Sequence, residues 1–184
     1  MPAFVAMLRG VNVGGRAKVP MADLRELLTG LGYRRVRTYL QSGNVVLDHR
    51  GTGAAVASGV AAAVADRFGL DVPVVVRSAG DLARVVGANP YPAEGLDPDE
   101  EPNRFHVTFL AGDPDPAAVD ALVAKTDPYA PDTLRVVGPD VFLHVPGGYG
   151  ESKLTNSLIE RTLGVRATTR NWRTVTTLAA MAAG

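Results

Sequence analysis

The 184-residue chain has no cysteine. That absence removes disulfides, thiolate nucleophiles and sulfur-ligated metals, and it fits a reducing compartment. Net charge is absent too. Nineteen basic side chains balance nineteen acidic ones, which argues against bulk nucleic acid or an anionic membrane as partner. No apolar run reaches the length of a membrane span, and the alanine-rich GVAAAVA at 59–65 reads as part of a helix. MPAFVAMLRG has no basic region ahead of its short apolar stretch, unlike a secretory signal, so a cytoplasmic location is expected. Histidine is scarce, and His49, His106 and His144 show no metal-ligand spacing. There is no G-x-S-x-G, no ordered Ser/His/Asp signature and no ribonucleoprotein sheet motif. No metal and no cofactor are therefore expected. Lysine is rare: sixteen of the nineteen basic residues are arginine. Lys125 reads as helix surface, whereas Lys18 and Lys153 each follow a glycine-rich loop.

What is present is enough apolar sequence, 46% of the chain, for one ample core or two small ones. FVAML (4–8) reads as a strand and Met21 to Leu31 as a helix, with Pro20 in its first turn and Gly32 as its cap. VRTYLQ (36–41) and NVVLD (44–48) flank Ser42-Gly43 as a hairpin. A helix from Thr52 to Phe68 closed by Gly69, a strand at 72–77 and a short helix at 79–86 complete a first set. After PYPAEGLDPDEEP the order restarts: strand 105–110, helix 116–124, hairpin 134–137 and 141–145, helix 151–163, strand 167–171 and helix 172–182. FGLDVPVVVRSAGDLARVV lies over TLGVRATTRNWRTVTTLAAM with two residues missing, matching Gly69 with Gly164, Arg77 with Arg170 and Leu82 with Val175. The spacing predicts an α+β fold of two pseudo-repeated, ferredoxin-like halves, each βαββαβ plus a helix with an antiparallel sheet. The halves are 1–89 and 104–184, joined by a proline- and acid-rich linker at 90–103. Alternation points Val36, Thr38, Leu40, Val45 and Leu47 toward the helices. It leaves Arg37, Tyr39, Gln41, Asn44, Val46 and Asp48 on an uncovered face.

Three stretches carry candidate chemistry. LRGVNVGGRAKVP (8–20) has Gly10 and Gly15 at P-loop spacing, but Arg16 replaces the phosphate-binding lysine and Ala17 the magnesium-binding hydroxyl. What remains is a glycine-freed turn ringed by Arg9, Asn12, Arg16 and Lys18, either an anion nest or a plain connection. PGGYGESK (146–153) reads as opening a helix on which Lys153, Asn156 and Glu160 share a polar stripe. In TTRNW (168–172), Arg170 is placed to clamp a carboxylate or phosphate, Asn171 to cap a helix and Trp172 to pack in the core.

LRGVNVGG, the spacing onward to Lys18 and Met21, YLQSGN, SKLTN and TRNW together resemble a bacterial family known as domain of unknown function 1697. The resemblance runs nearly from end to end. It implies two related ferredoxin-like halves packed as one intertwined unit, and it brings no activity. The family's characteristic polar positions fall here on Arg9, Asn12, Lys18, Gln41, Ser42, Asn44, Lys153, Asn156, Arg170, Asn171 and Trp172; the linker departs from the family in being unusually acidic. The leading expectation is a binding module for a small anionic ligand, phosphate- or carboxylate-bearing and including nucleotides, held between the halves. The alternatives are an enzyme on a phosphorylated or carboxylated small molecule, with Lys153 or Glu160 moving a proton, and an RNA-binding or purely structural protein that associates with its own copies. Whether the chain is an enzyme is left open by the sequence. Nucleic acid and membrane are not expected partners.

Overall fold

The apolar residues at 4–8 and 105–110 each become the third strand of a four-stranded sheet. The computed structural model describes all residues, Met1–Gly184. They divide into two compact units: Met1–Ala83 with Leu178–Gly184, and Arg84–Thr177.

The first unit contains β1 (Ala3–Leu8), α1 (Met21–Gly30), β2 (Arg34–Tyr39), β3 (Asn44–Asp48), α2 (Gly53–Phe68), β4 (Val74–Ser78) and the start of α3 (Ala79–Gly87). Its sheet runs β2-β3-β1-β4, antiparallel throughout. Ala6 and Leu8 of β1 and Val45 and Leu47 of β3 pack on Leu24 and Leu28 of α1 and on Val56, Val60 and Val64 of α2. Burying each Leu or Val of this kind contributes about 1.5–3 kcal/mol before entropy is counted. Thr52 caps α2 by accepting from the Ala55 amide, and Gly69 ends it in left-handed backbone at φ 67°.

The second unit repeats the plan with the rest of α3, β5 (Phe105–Leu110), α4 (Pro116–Thr126), β6 (Thr133–Val137), β7 (Asp140–His144), α5 (Asn156–Leu163), β8 (Ala167–Asn171) and α6 (Trp172–Ala183) as far as Thr177. Its sheet runs β6-β7-β5-β8, the same order. Leu110, Val141, Leu143 and Ala167 meet Leu122 of α4 and Ile159 and Leu163 of α5. The repeat extends to single residues. Gly164 ends α5 at φ 67°, as Gly69 ends α2. Arg77 lies opposite Val5 as Arg170 lies opposite Val107, and both arginines are buried. The fold is α+β, built as two copies of one βαββαβ-plus-helix pattern.

Four sequence expectations are corrected in detail. The first hairpin closes through Leu40–Gly43, four residues rather than two, because Tyr39 pairs with Asn44. Leu40 therefore leaves the helix-facing row, takes φ 56° and is exposed. The second hairpin turns on Gly138-Pro139 alone, since Asp140 already pairs with Val137. The face expected to be open is not: Asn44 and Val46 are buried there. The end of α6 belongs to this unit, and Arg37 on that face donates to the Met181 carbonyl at 2.6 Å. Finally, α5 starts at Asn156 and not at Glu151, because Thr155 is the residue whose hydroxyl caps it, accepting from the Leu158 amide.

The acidic stretch at 90–103 is folded against the second sheet. A 3-10 turn at Tyr91–Glu94 buries Tyr91, whose hydroxyl donates to the carbonyls of Thr133 and Phe142. Burial pushes the Tyr91 phenol up to about 12, and Glu94 receives both ends of the Arg135 guanidinium at 2.9 and 3.0 Å.

Candidate functional site

In the first unit the Gly10–Lys18 loop is held by one side chain. Asn12 donates through Nδ2 to the carbonyls of Val19 (2.9 Å) and Gln41 (2.7 Å), and its Oδ1 accepts from the Val19 amide at 2.9 Å. The tip between Val13 and Arg16 closes as a miniature bridge, with Gly14 and Gly15 at φ 59° and 74°. Val19-Pro20 then runs extended into Met21 at the start of α1. The first helix thus does not open on the glycines as a P-loop helix does, which agrees with the missing lysine and hydroxyl.

Asn12, Gly15, Lys18, Val19, Pro20 and Gln41 line one hollow of about 420 Å³. Lys18 and Gln41 are exposed at its rim. Ser42 and Asn44 belong to the neighbouring turn: Asn44 Nδ2 donates to Ser42 Oγ (2.9 Å) and to the Tyr39 carbonyl (3.1 Å), and the side chain is fully buried. Asn44 therefore shapes the turn that presents Gln41 and does not line the hollow. Gly43 locks that turn onto β1, its carbonyl accepting from the Leu8 amide at 2.8 Å. Arg9 is half-buried, its amide donating to the Pro73 carbonyl.

In the second unit the candidate residues separate. Lys153 precedes α5 and sets its ammonium 5.7 Å from the Tyr129 ring centre. Asn156 donates to the Ala167 carbonyl and accepts from the Thr169 hydroxyl, and Glu160 accepts from the Ala167 amide at 2.7 Å. These two residues hold β8, the edge strand, to α5. The proposed polar stripe of Lys153, Asn156 and Glu160 does not exist on one helix, because Lys153 lies outside it. Arg170 is held by the Thr168 hydroxyl and the Thr169 carbonyl, and burial brings its guanidinium down to about 10. It stays charged at neutral pH. Asn171 caps α6, accepting from the Thr174 amide at 2.9 Å. Trp172 is buried as expected, but its indole N–H donates to Asp99 at 2.8 Å. It lines a second hollow, of about 510 Å³, with Asp97, Asp99 and Leu96.

Sequence reasoning missed Tyr91, Asp99 and His106. Tyr91 and Asp99 lie in the segment read as linker, where the acidity was the one available signal. His106 is buried with its ring stacked on Tyr149 at 4.6 Å, and its Nδ1 is buried without a hydrogen-bond partner. Desolvation pushes it down to about 4, so the imidazole is neutral at pH 7. No group of three or more His, Cys, Asp or Glu is placed to hold a metal ion, and no helix is long and apolar enough to cross a membrane.

Two related halves with a lysine-rimmed hollow in the first define an α+β protein with an unassigned site. The chain belongs to the family described as Protein of unknown function (DUF1697), whose model matches residues 1–142. Its fold is similar to that of the conserved bacterial protein SP0830 from Streptococcus pneumoniae, at a TM-score of 0.70 and 22% identity over 98% of each chain. Among curated proteins none matches it.

Proposed function

We propose that the protein is a binding module whose first unit holds a small anionic ligand, phosphate- or carboxylate-bearing, in the hollow beside the Gly10–Lys18 loop. The observation that carries this is the convergence of Lys18, from the glycine loop, and Gln41, from the β2–β3 turn, on one hollow of about 420 Å³. Lys18 supplies a strongly hydrated point charge and Gln41 an amide with two donors. Asn12 spends its amide on Val19 and Gln41, so it sets the distance between the two walls and leaves recognition to them. A nucleotide is within this ligand class, bound through a phosphate and without the lysine–hydroxyl pair that positions a metal-bound triphosphate.

The test is a set of denaturation midpoints measured with orthophosphate, nucleotides and simple carboxylic acids. A ligand at about 100 times its dissociation constant adds about 2.7 kcal/mol. Lys18→Ala is expected to remove the shift while changing the unliganded stability by less than about 0.5 kcal/mol, as for an ordinary surface substitution. A ligand-induced shift that survives Lys18→Ala unchanged rules this site out.

A further inference from the structure

Given the reading of the hollow beside the Gly10–Lys18 loop as an anion site, on which this inference rests, we propose that its ligand is an aliphatic monocarboxylate, with the carboxylate on Lys18 and Gln41 and the hydrocarbon body against Leu40. The hollow is lined by Asn12, Gly15, Lys18, Val19, Pro20 and Gln41. Lys18 is the one charged side chain among them, and Arg9 and Arg16 of the same loop lie outside the lining. The hollow therefore matches one negative charge. A phosphate dianion would keep part of its charge unmatched, whereas a carboxylate is neutralised by Lys18 and accepts a further hydrogen bond from the Gln41 amide. No aromatic ring lines the hollow to stack on a base, and no acidic side chain to accept from ribose hydroxyls. Val19 and Pro20 give apolar wall instead, which suits hydrocarbon.

Backbone conformation points the same way. Four non-glycine residues of the chain have positive φ, and three of them are Asn12 at 57°, Ala17 at 46° and Leu40 at 56°. Asn12 lines the hollow, Ala17 directly precedes Lys18, and Leu40 directly precedes Gln41. Left-handed backbone is unfavourable for a residue with a Cβ, and of these three only asparagine visits it readily. Such outliers persist where the surrounding structure holds them, and they cluster at ligand sites. Leu40 carries a second cost, because its apolar side chain is 56% exposed to water. Neither cost serves the core, since Leu40 has no place in the hydrophobic cluster of the first unit. A ligand whose hydrocarbon body covers Leu40 takes that surface out of water while its carboxylate meets the two polar residues that the left-handed turns lead into.

The full-length protein is titrated calorimetrically with hexanoate, acetate, orthophosphate and adenosine monophosphate, and with hexanol as the uncharged control. Hexanoate is expected to bind about ten-fold or more tighter than each of the other anions, because it alone buries hydrocarbon, and hexanol is expected not to bind. Lys18→Gln removes the charge and should abolish hexanoate binding. Leu40→Gly keeps the left-handed turn, which glycine adopts freely, and Leu40→Asn keeps it with a polar side chain. Both variants should fold with the thermal midpoint unchanged or raised, and both should weaken hexanoate toward the affinity of acetate. Hexanoate affinity unchanged in the two folded Leu40 variants would overturn the proposal. Orthophosphate or adenosine monophosphate binding more tightly than hexanoate, and lost in Lys18→Gln, would overturn the monocarboxylate and leave the anion site standing. Failure of every anion to bind through Lys18 would remove the anion site and this inference with it.

Discussion

Two residues carry costs that a reader of the sequence would not assign. Gly43 looks like an ordinary turn glycine, but a Cβ there would lie 2.6 Å from Val11 Cγ2 and 2.8 Å from Leu8 Cβ, at φ 78°. Left-handed backbone costs a non-glycine residue about 1–2 kcal/mol, and overpacking adds about 1–3 kcal/mol. Gly43→Ala is therefore expected to lower stability in urea by about 2–5 kcal/mol. Gly15→Ala, with open space around its Cβ, should show the backbone cost alone. His106 makes stability depend on pH. Its folded-state value of about 4 lies below the ordinary 6.5, so between these limits the unfolded chain takes up the proton first. Its contribution is complete above pH 6.5 and is lost as pH falls toward 4, at up to about 1.4 kcal/mol per pH unit. His106→Phe should flatten that slope in denaturation series at pH 4–7. His144, lowered in the same direction by burial, leaves part of the slope in place.

At the scale of elements, side chains of one element complete the backbone hydrogen bonds of another. Asn12 joins the loop after β1 to the entry of α1 and to the β2–β3 turn with three hydrogen bonds. At about 1 kcal/mol net for each, Asn12→Ala should destabilise the protein by roughly 2–3 kcal/mol and, by releasing both walls of the hollow, weaken any ligand that Lys18 holds. Lys18→Ala should affect the ligand only, so the two variants separate positioning from contact. Glu160 does for β8 what Asn12 does for the loop. The Ala167 amide that it accepts should exchange with deuterium faster in Glu160→Ala and nearly normally in Glu160→Gln, which keeps a carbonyl oxygen in place.

At the scale of the molecule, the first unit is discontinuous in sequence: it is completed by Leu178–Gly184, which includes the last turns of α6. Leu178 and Ala182 are buried, and the Met181 carbonyl accepts from Arg37 on β2. Deleting residues 178–184 should therefore raise hydrogen exchange in β2 and β3, more than a hundred positions away in the chain. The same reasoning predicts that residues 1–89 expressed alone lack a cooperative native-like transition, because the fragment omits this segment and a chain of that size buries little core. The full chain is expected to unfold in one step by circular dichroism and fluorescence together; two well-separated midpoints would contradict it.

Periodicity determined the element order and, Leu40 apart, the helix-facing rows, and the recurrence of that order with matched residues showed the two-fold repetition. An apolar residue every second position in Val45 and Leu47, or every third and fourth in Leu24 and Leu28, has one low-energy arrangement whatever the rest of the chain does. The glycine caps were equally legible in Gly69 and Gly164, whose chemistry acts within one turn of helix. The start of α5 lies at Asn156 and not at Glu151 because the segment before it is held in a turn, with the Asn156 amide donating to the Tyr149 hydroxyl and Thr155 as the cap. The burial of Asn44 and Val46 was also beyond reach, since alternation gives a residue's face and not what covers it. The candidate sites divide in the same way. Lys18 and Gln41 were recognisable as polar residues in glycine-containing turns, but only the folded chain brings them to one hollow. Asp99 beside Trp172 joins positions 73 residues apart, and no sequence pattern encodes a contact made by packing a proline-rich segment against a distant helix.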